Sequence, residues 1–98
     1  MNDLRHITRA LQKSGVKVLL ETVPPFDYSG AVRDTWFGVN RFILEEMKSE
    51  ADGVFDVVPV LGGRDGDIAL VRYGGHPNES GNAAWAEAIY WTVKQMLN

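Results

Sequence analysis

Cysteine is absent from this chain, and its absence removes two kinds of site. Without thiols there are no disulfide bonds and no zinc or iron–sulfur centres held by thiolates. The absence also leaves the cellular compartment open, because disulfide content is the compositional sign of an oxidising environment.

A surplus of basic charge is also missing. The 10 Lys and Arg residues are outnumbered by 13 Asp and Glu residues, which gives a formal net charge of −3. The basic residues are scattered and form no stripe. Because binding to nucleic acid depends on a cationic surface that meets the phosphates, no nucleic-acid partner is expected.

Long hydrophobic runs are lacking too. No apolar run approaches the roughly 20 residues that a membrane-spanning helix needs, so no membrane partner is expected. The first six residues contain no apolar segment of the kind found in signal peptides. The 98 residues have 45% hydrophobic content, and we expect residues 1–98 to form a single domain.

The sequence predicts a helix at the start of the chain. Apolar residues recur at intervals of three and four from Leu4 to Leu11, after Asn2 or Asp3, either of which can cap a helix. Gly15 ends the pattern, because glycine readily takes the left-handed conformation that closes many helices.

Two short apolar runs predict β-strands. Residues 16–23 and 54–58 are rich in β-branched side chains and almost continuously apolar, which is typical of strands covered on both faces. Each run is closed by proline, which supplies no amide hydrogen to a sheet.

Two further helices follow from a spacing of three and four. The second covers residues 79–97, and the first carries on one side Val32, Trp36, Ile43 and Met47. The order is helix, strand, helix, strand, loop, helix, which predicts an α/β fold with a short parallel sheet. Within the loop, the apolar residues 68–73 could form a short strand or an ordered loop over the end of the sheet. Functional residues of such sheets lie beyond the carboxyl ends of the strands.

A sheet of two strands is narrow. Sheets usually contain about four to six strands, and a pair leaves backbone edges and apolar faces uncovered. We therefore interpret the chain as a partial domain, the second half of a larger α/β unit.

The motif His76-Pro77-Asn78-x-x-Gly81 lies directly before the last helix. It resembles the last sequence block of the SGNH (GDSL-type) hydrolases. The run Val-Leu-Leu-Glu-Thr-Val-Pro-Pro at 18–25 and the helix after it are similar to that family's second half. The resemblance extends over essentially the whole chain and implies a flavodoxin-like, three-layer α/β/α fold.

The resemblance also implies a chemistry. His76 matches the family's general base, which takes the proton of a nucleophilic serine during ester hydrolysis. Asn2, followed by Asp3, is similar to the family's oxyanion-binding Asn-Asp block, although the preceding glycine is missing. The implied substrates are esters, with small acyl groups on carbohydrates or lipids as examples.

Two family features have no counterpart here. No Gly-Asp-Ser block supplies a nucleophile, so the chain lacks the N-terminal, nucleophile-bearing half. Tyr73 stands three residues before His76, where the family has an aspartate. A backbone carbonyl, Asp65 or Asp67 could orient the imidazole instead.

Two functional hypotheses result. In the first, the chain is the carboxyl-terminal part of a serine esterase, inactive alone and completed by an N-terminal segment. In the alternative, it is an inactive, truncated or degenerate α/β module that self-associates or binds a partner through its open sheet edge.

Neither a cofactor nor a metal ion is expected. The glycine-rich residues 62–66 do not match a dinucleotide-binding fingerprint. Asp56, Asp65, Asp67 and His76 are types that can ligate a hard metal ion, but Asp-Gly-Asp more commonly forms a turn.

Overall fold

The computed structural model describes residues 2–25, 28–61, 71–72, 76–77 and 79–97, with the backbone alone for residues 71–72, 76–77 and 80. Within these ranges no helix combines the length and the apolarity needed to cross a membrane. The elements in chain order are α1 (Asn2–Lys13), β1 (Leu19–Glu21), α2 (Gly30–Arg41), β2 (Gly53–Phe55), α3 (Val58–Leu61), β3 (Val71–Arg72), β4 (His76–Pro77) and α4 (Glu79–Leu97).

The predicted parallel strand pair is confirmed. β1 and β2 run parallel with Leu19 opposite Gly53 and Glu21 opposite Phe55, and α2 lies between them in the chain. The fold is therefore a small α/β unit built around one β-α-β crossover. A second, antiparallel pair joins β3 to β4, with Arg72 opposite His76.

The strands are shorter than the apolar runs predicted. Val16 precedes β1 and is 50% exposed. After β2, Val57 and Val58 are buried, but Val58 already begins α3. Pro59 is therefore the second residue of a helix rather than the end of a strand, a position where its missing amide hydrogen costs nothing. Between β2 and α4 the structure also contains α3 and β4, which were not predicted, and β3, which lies in the run 68–73 for which a short strand was one of the two alternatives.

The helix after β1 continues beyond α2 with two irregular turns. A π-helical turn covers Phe42–Glu46, and a 3₁₀ turn covers Met47–Ser49. Trp36, Ile43 and Met47 are buried as their spacing predicts, whereas Val32, on the same predicted side, is 60% exposed.

α1 is tied to the segment that enters β2. Arg5 and Arg9 both bind the Glu50 carboxylate, and Gln12 donates to the Glu50 carbonyl at 2.7 Å. Gly15 follows α1 with a φ of +91°, so the left-handed helix end predicted there is confirmed.

α4 covers one face of the sheet and runs antiparallel to its strands. The Trp85 indole donates to the Glu21 carboxylate at 2.8 Å, at the carboxyl end of β1. Eleven residues later, Met96 lies against Gly53, and its carbonyl accepts from the Lys17 ammonium at 3.2 Å, at the amino ends of the strands. The beginning of α4 is therefore directed toward the carboxyl ends of both strands. Its inner side packs on a core of Phe55, Val57 and Leu61.

Candidate functional site

The segments that follow β1 and β2 meet in a network of hydrogen bonds, which we call the carboxyl rim (Thr22, Val23 and Asp56). The buried Thr22 hydroxyl donates to Asp56 Oδ1 at 2.9 Å and accepts from the Val57 amide at 2.9 Å. Asp56 Oδ1 also accepts from the Val58 amide at 3.2 Å. Both of these described donors bind the same carboxylate oxygen, Oδ1, and together they fix the orientation of Asp56.

α2 holds the other part of the carboxyl rim. Asn40, buried on α2, accepts from the Val23 amide at 2.7 Å and donates to the Val23 carbonyl at 3.1 Å. The Trp36 indole donates to the same carbonyl at 2.9 Å. Both backbone groups of Val23 are thus satisfied by side chains after β1 has ended, which anchors the chain before Pro24 and Pro25.

A pocket of about 290 Å³ opens beside this network. Trp36 and Phe37 form an aromatic wall, while Arg41, Glu45 and Asp56 bring charge of both signs. The lining residues are Trp36, Phe37, Asn40, Arg41, Leu44, Glu45, Asp56 and Val58. Its volume is at the lower end of the range for small-molecule sites, and its mixture of apolar wall and convergent polar groups is typical of them.

Asp56 is one of the pocket side chains with acceptor capacity to spare. Its Oδ1 accepts two hydrogen bonds, and Oδ2 accepts none from the described residues. A carboxylate oxygen in this state can accept a hydrogen bond from a hydroxyl or an amine. Among the described residues, the pocket lining contains no serine, threonine or histidine, so these residues can bind a ligand but supply no hydroxyl nucleophile.

Tyr28 extends the aromatic wall. Its ring centroid lies 5.4 Å from that of Trp36, with the planes tilted by 43°. Burial raises the pKa of the Tyr28 phenol above its ordinary value, because the charged phenolate is disfavoured away from water. The phenol is therefore neutral at physiological pH and is not a base there.

The backbone of His76 lies in β4, paired with Arg72 of β3, and α4 begins two residues after Pro77. Since α4 starts at the end directed toward the carboxyl rim, β4 precedes it on that side of the molecule. The His76 side chain lies outside the described residues, as do Asp67, Tyr73 and Asn78.

Asn2 is the first residue of α1 and is exposed. It lines a second hollow, of about 470 Å³, between α1 and the helix that follows β1. Arg41 and Glu45 line this hollow and also the pocket beside Asp56. The structure thus brings Asn2 next to the pocket wall, separated from Asp56 by the α2 side chains.

No group of three potential metal-ligating side chains occurs in the described part of the chain. Asp56, one of the four residues considered for a metal, is engaged by Thr22 and Val58. Asp65 and Asp67 lie outside the described residues.

Sequence reasoning did not identify Thr22 as a member of the carboxyl rim or Asn40 as the side chain that binds it. Both carried a signal, because each is a polar residue at a position that the pattern predicts to be buried. Thr22 lies in the apolar run 16–23, and Asn40 lies between Trp36 and Ile43 on the apolar side of its helix. Buried polar groups are almost always hydrogen-bonded, so such positions indicate a network.

Comparison with protein-family models, curated proteins and solved structures finds no match for this chain. Residue roles are therefore inferred from its own side chains.

Proposed function

We propose that this chain is the carboxyl-terminal, histidine-bearing half of an SGNH-type ester hydrolase. One observation carries the proposal: α4 runs antiparallel to a parallel strand pair, so the segment with His76 precedes α4 on the side of the carboxyl rim. Catalytic groups of open parallel sheets gather at that rim. The sequence motif around His76 and this arrangement of elements both support a catalytic role near the carboxyl ends of the strands.

The edge of β1 away from β2 pairs with no other strand among the described residues, and this supports completion by another segment. The carbonyl of Val18 accepts from Gly53, and the amide of Thr22 donates to the Phe55 carbonyl. Because backbone groups alternate in direction along a strand, those of Leu19 and Glu21 point away from β2. They are available to a further strand, which would widen the sheet toward that of a flavodoxin-like, three-layer α/β/α fold.

The proposed reaction divides its groups between two segments. A serine hydroxyl on the completing segment attacks the ester carbonyl while His76 accepts its proton. The imidazolium then returns that proton to the leaving alcohol as the tetrahedral intermediate collapses, and water hydrolyses the acyl-enzyme by the same sequence. The pocket beside Asp56 suits an alcohol portion with further hydroxyl groups, since it offers an aromatic wall and a carboxylate oxygen that accepts no hydrogen bond from the described residues.

A fluorophosphonate probe tests the proposal, because it labels a serine only when a neighbouring base activates it. The chain is tagged at its C-terminus in its native locus, labelled in lysate and purified under native conditions. We expect the label on a serine of a Gly-Asp-Ser block, either in the tagged polypeptide or in one that co-purifies.

The His76→Ala variant should lose the label, and the matched control His6→Ala, changed on exposed α1, should keep it. The purified 98-residue chain should neither take up the label nor hydrolyse p-nitrophenyl acetate faster than His76→Ala. Native protein without any labelled serine would contradict the proposal. Labelling of a serine within the purified chain would contradict the need for completion.

A second candidate is a non-catalytic module, and the apolar surface of α1 favours it. Ile7, Leu11 and Val16 are each at least 42% exposed, although the first two lie on the apolar side of the helix pattern. Surfaces of this kind often mark protein contacts. In the same experiment this candidate is identified by partners that co-purify without any labelled serine.

A further inference from the structure

The outer side of α4 carries an apolar stripe that is left exposed by the part of the chain that the structure describes. We call it the outer stripe, and all of its members are exposed. Tyr90 is 56% and Leu97 67% exposed. The outer stripe consists of Ala83, Ala86, Tyr90, Val93 and Leu97.

The outer stripe is distinct from the side of α4 that stabilises the fold. Trp85, Ala88 and Ile89 on the inner side pack on the core beneath them. Successive members of the outer stripe are three, four, three and four residues apart. This is the spacing of the seam that two helices bury when they pack side by side at a shallow angle.

Charges flank the outer stripe along one border. Glu87 directly follows Ala86, and Lys94 directly follows Val93, so the two lie on the same border, two helical turns apart. Both are exposed, and neither forms an ion pair with a described residue. Lys94 lies over the Tyr90 and Trp91 rings, 5.9 and 5.3 Å from their centroids, which keeps its ammonium beside the outer stripe.

We propose that the outer stripe binds the same stripe of a second copy of this chain, with the two α4 helices antiparallel about a twofold axis. In that arrangement Tyr90 packs beside Val93 of the second copy, and Ala86 beside Leu97 of the second copy. Glu87 then lies opposite Lys94 of the second copy. The twofold axis repeats this contact, so one interface contains two ion pairs.

The charges select this orientation. On the other border of the outer stripe lie Ile89 and Met96, which face the sheet of their own chain. A parallel pair would place Glu87 and Lys94 opposite that border, where neither meets an opposite charge. Antiparallel pairing is thus the self-complementary arrangement, and it does not depend on the proposed catalytic role.

The dimer should depend on concentration. The outer stripe extends over about 21 Å at 1.5 Å per residue. Stable interfaces commonly bury about 1,200–2,000 Å² in total, and one short helix pair is at the small end of that range. We expect monomer on dilution and dimer at higher concentration.

Sedimentation equilibrium of the whole chain tests the interface by charge reversal. Glu87→Lys and Lys94→Glu should each weaken dimerisation by about tenfold, because each replaces two attractions with two repulsions. The double variant Glu87→Lys/Lys94→Glu should restore the dimer, since the pairs reform with reversed polarity. Glu46→Lys, an equal charge change outside α4, should leave it unchanged. Far-ultraviolet circular dichroism verifies that each variant is folded.

Cross-linking determines the orientation, because the chain has no cysteine of its own. In a mixture of Ala86→Cys and Leu97→Cys chains, antiparallel pairing should give mainly the mixed 86–97 disulfide. A 86–86 disulfide as the main product would overturn the proposal. So would a wild-type monomer at every concentration, or a double charge reversal that remains monomeric.

Discussion

The Thr22 hydroxyl donates a hydrogen bond to Asp56 Oδ1 over 2.9 Å and joins the segments that follow the two parallel strands. The two residues are 34 positions apart in the chain, and each is the first residue after its strand. The same hydroxyl accepts from the Val57 amide. The contact therefore holds the carboxyl rim together and sets the direction of the Asp56 carboxylate at the pocket.

Replacing Thr22 with valine tests this contact. The change keeps the shape of the side chain, but it leaves the buried Val57 amide without its partner and removes one of the two hydrogen bonds to Asp56 Oδ1. We expect the free energy of unfolding to fall by about 1–3 kcal/mol. Urea denaturation measures it. Thr35→Val, at an exposed position of α2, is the control and should change the free energy of unfolding by less than about 0.5 kcal/mol. An equal loss in both variants would show that the rim contact is not responsible.

Gly53 tests the contact between β2 and the end of α4. A Cβ atom on Gly53 would lie 2.6 Å from Met96 Sδ and 3.2 Å from Leu19 Cδ1. We expect Gly53→Ala to lower the free energy of unfolding by about 1–3 kcal/mol through overpacking. In a Met96→Ala background the cost should be smaller, because the nearer obstacle is gone.

A glycine-to-alanine change at Gly38 is the matched control, and it should raise the free energy of unfolding instead of lowering it. Gly38 lies in α2 with open space around its missing side chain, so Gly38→Ala should stabilise the chain by about 0.5–1 kcal/mol. Thermal and urea unfolding of the four variants measure both effects. Equal costs of Gly53→Ala with and without Met96 would refute the contact.

Asp52 should make stability depend on pH. The Val18 amide at 2.7 Å, followed by the Gln12 side chain, holds the pKa of the Asp52 carboxyl below its usual range. Glu50 behaves alike, because hydrogen bonds and charge from Arg5 and Arg9 lower its pKa. A lowered folded pKa means that the unfolded chain takes up the proton first as pH falls.

Stability contributed by these groups is therefore present above the ordinary carboxyl pKa and is lost as pH falls through the lowered folded value. Unfolding measured between neutral pH and acid should show this decline. The decline in the free energy of unfolding should be shallower in Asp52→Asn. The control Asp34→Asn, at an exposed position of α2, should follow the wild type. Parallel curves for wild type and Asp52→Asn would contradict the assignment.

The positions of the elements could largely be predicted from the sequence, but their ends could not. α4 begins at Glu79 and ends at Leu97 as predicted, because its apolar spacing is long and uninterrupted. Of the predicted strand 16–23, only three residues form β1. The Val18 amide before it donates to the Asp52 side chain, and the Val23 amide after it donates to the Asn40 side chain, so neither amide pairs with a neighbouring strand. Asp52 and Asn40 are 34 and 17 residues away from these amides, so the local sequence pattern could not predict them as partners.

The same distinction applies to the candidate site. His76 was identified from its neighbours in the chain, and its side chain, like Asp67, lies outside the described residues, so its catalytic role remains a prediction. The pocket beside Asp56 was not predicted, because it is formed by α2 and the end of β2, which meet only after the crossover has folded.

By itself the sequence determined the order of α1, β1, α2, β2 and α4, the parallel pairing of β1 with β2 and the place of the His76 motif before the last helix. These follow from periodicity and from glycine and proline, which act within a few residues. The tertiary structure alone decided that Thr22 and Asn40 organise the carboxyl rim and that α4 leaves its outer stripe uncovered. Burial and hydrogen bonding between distant segments settle such features, because a polar group far from water must find its partner wherever the folded chain provides one.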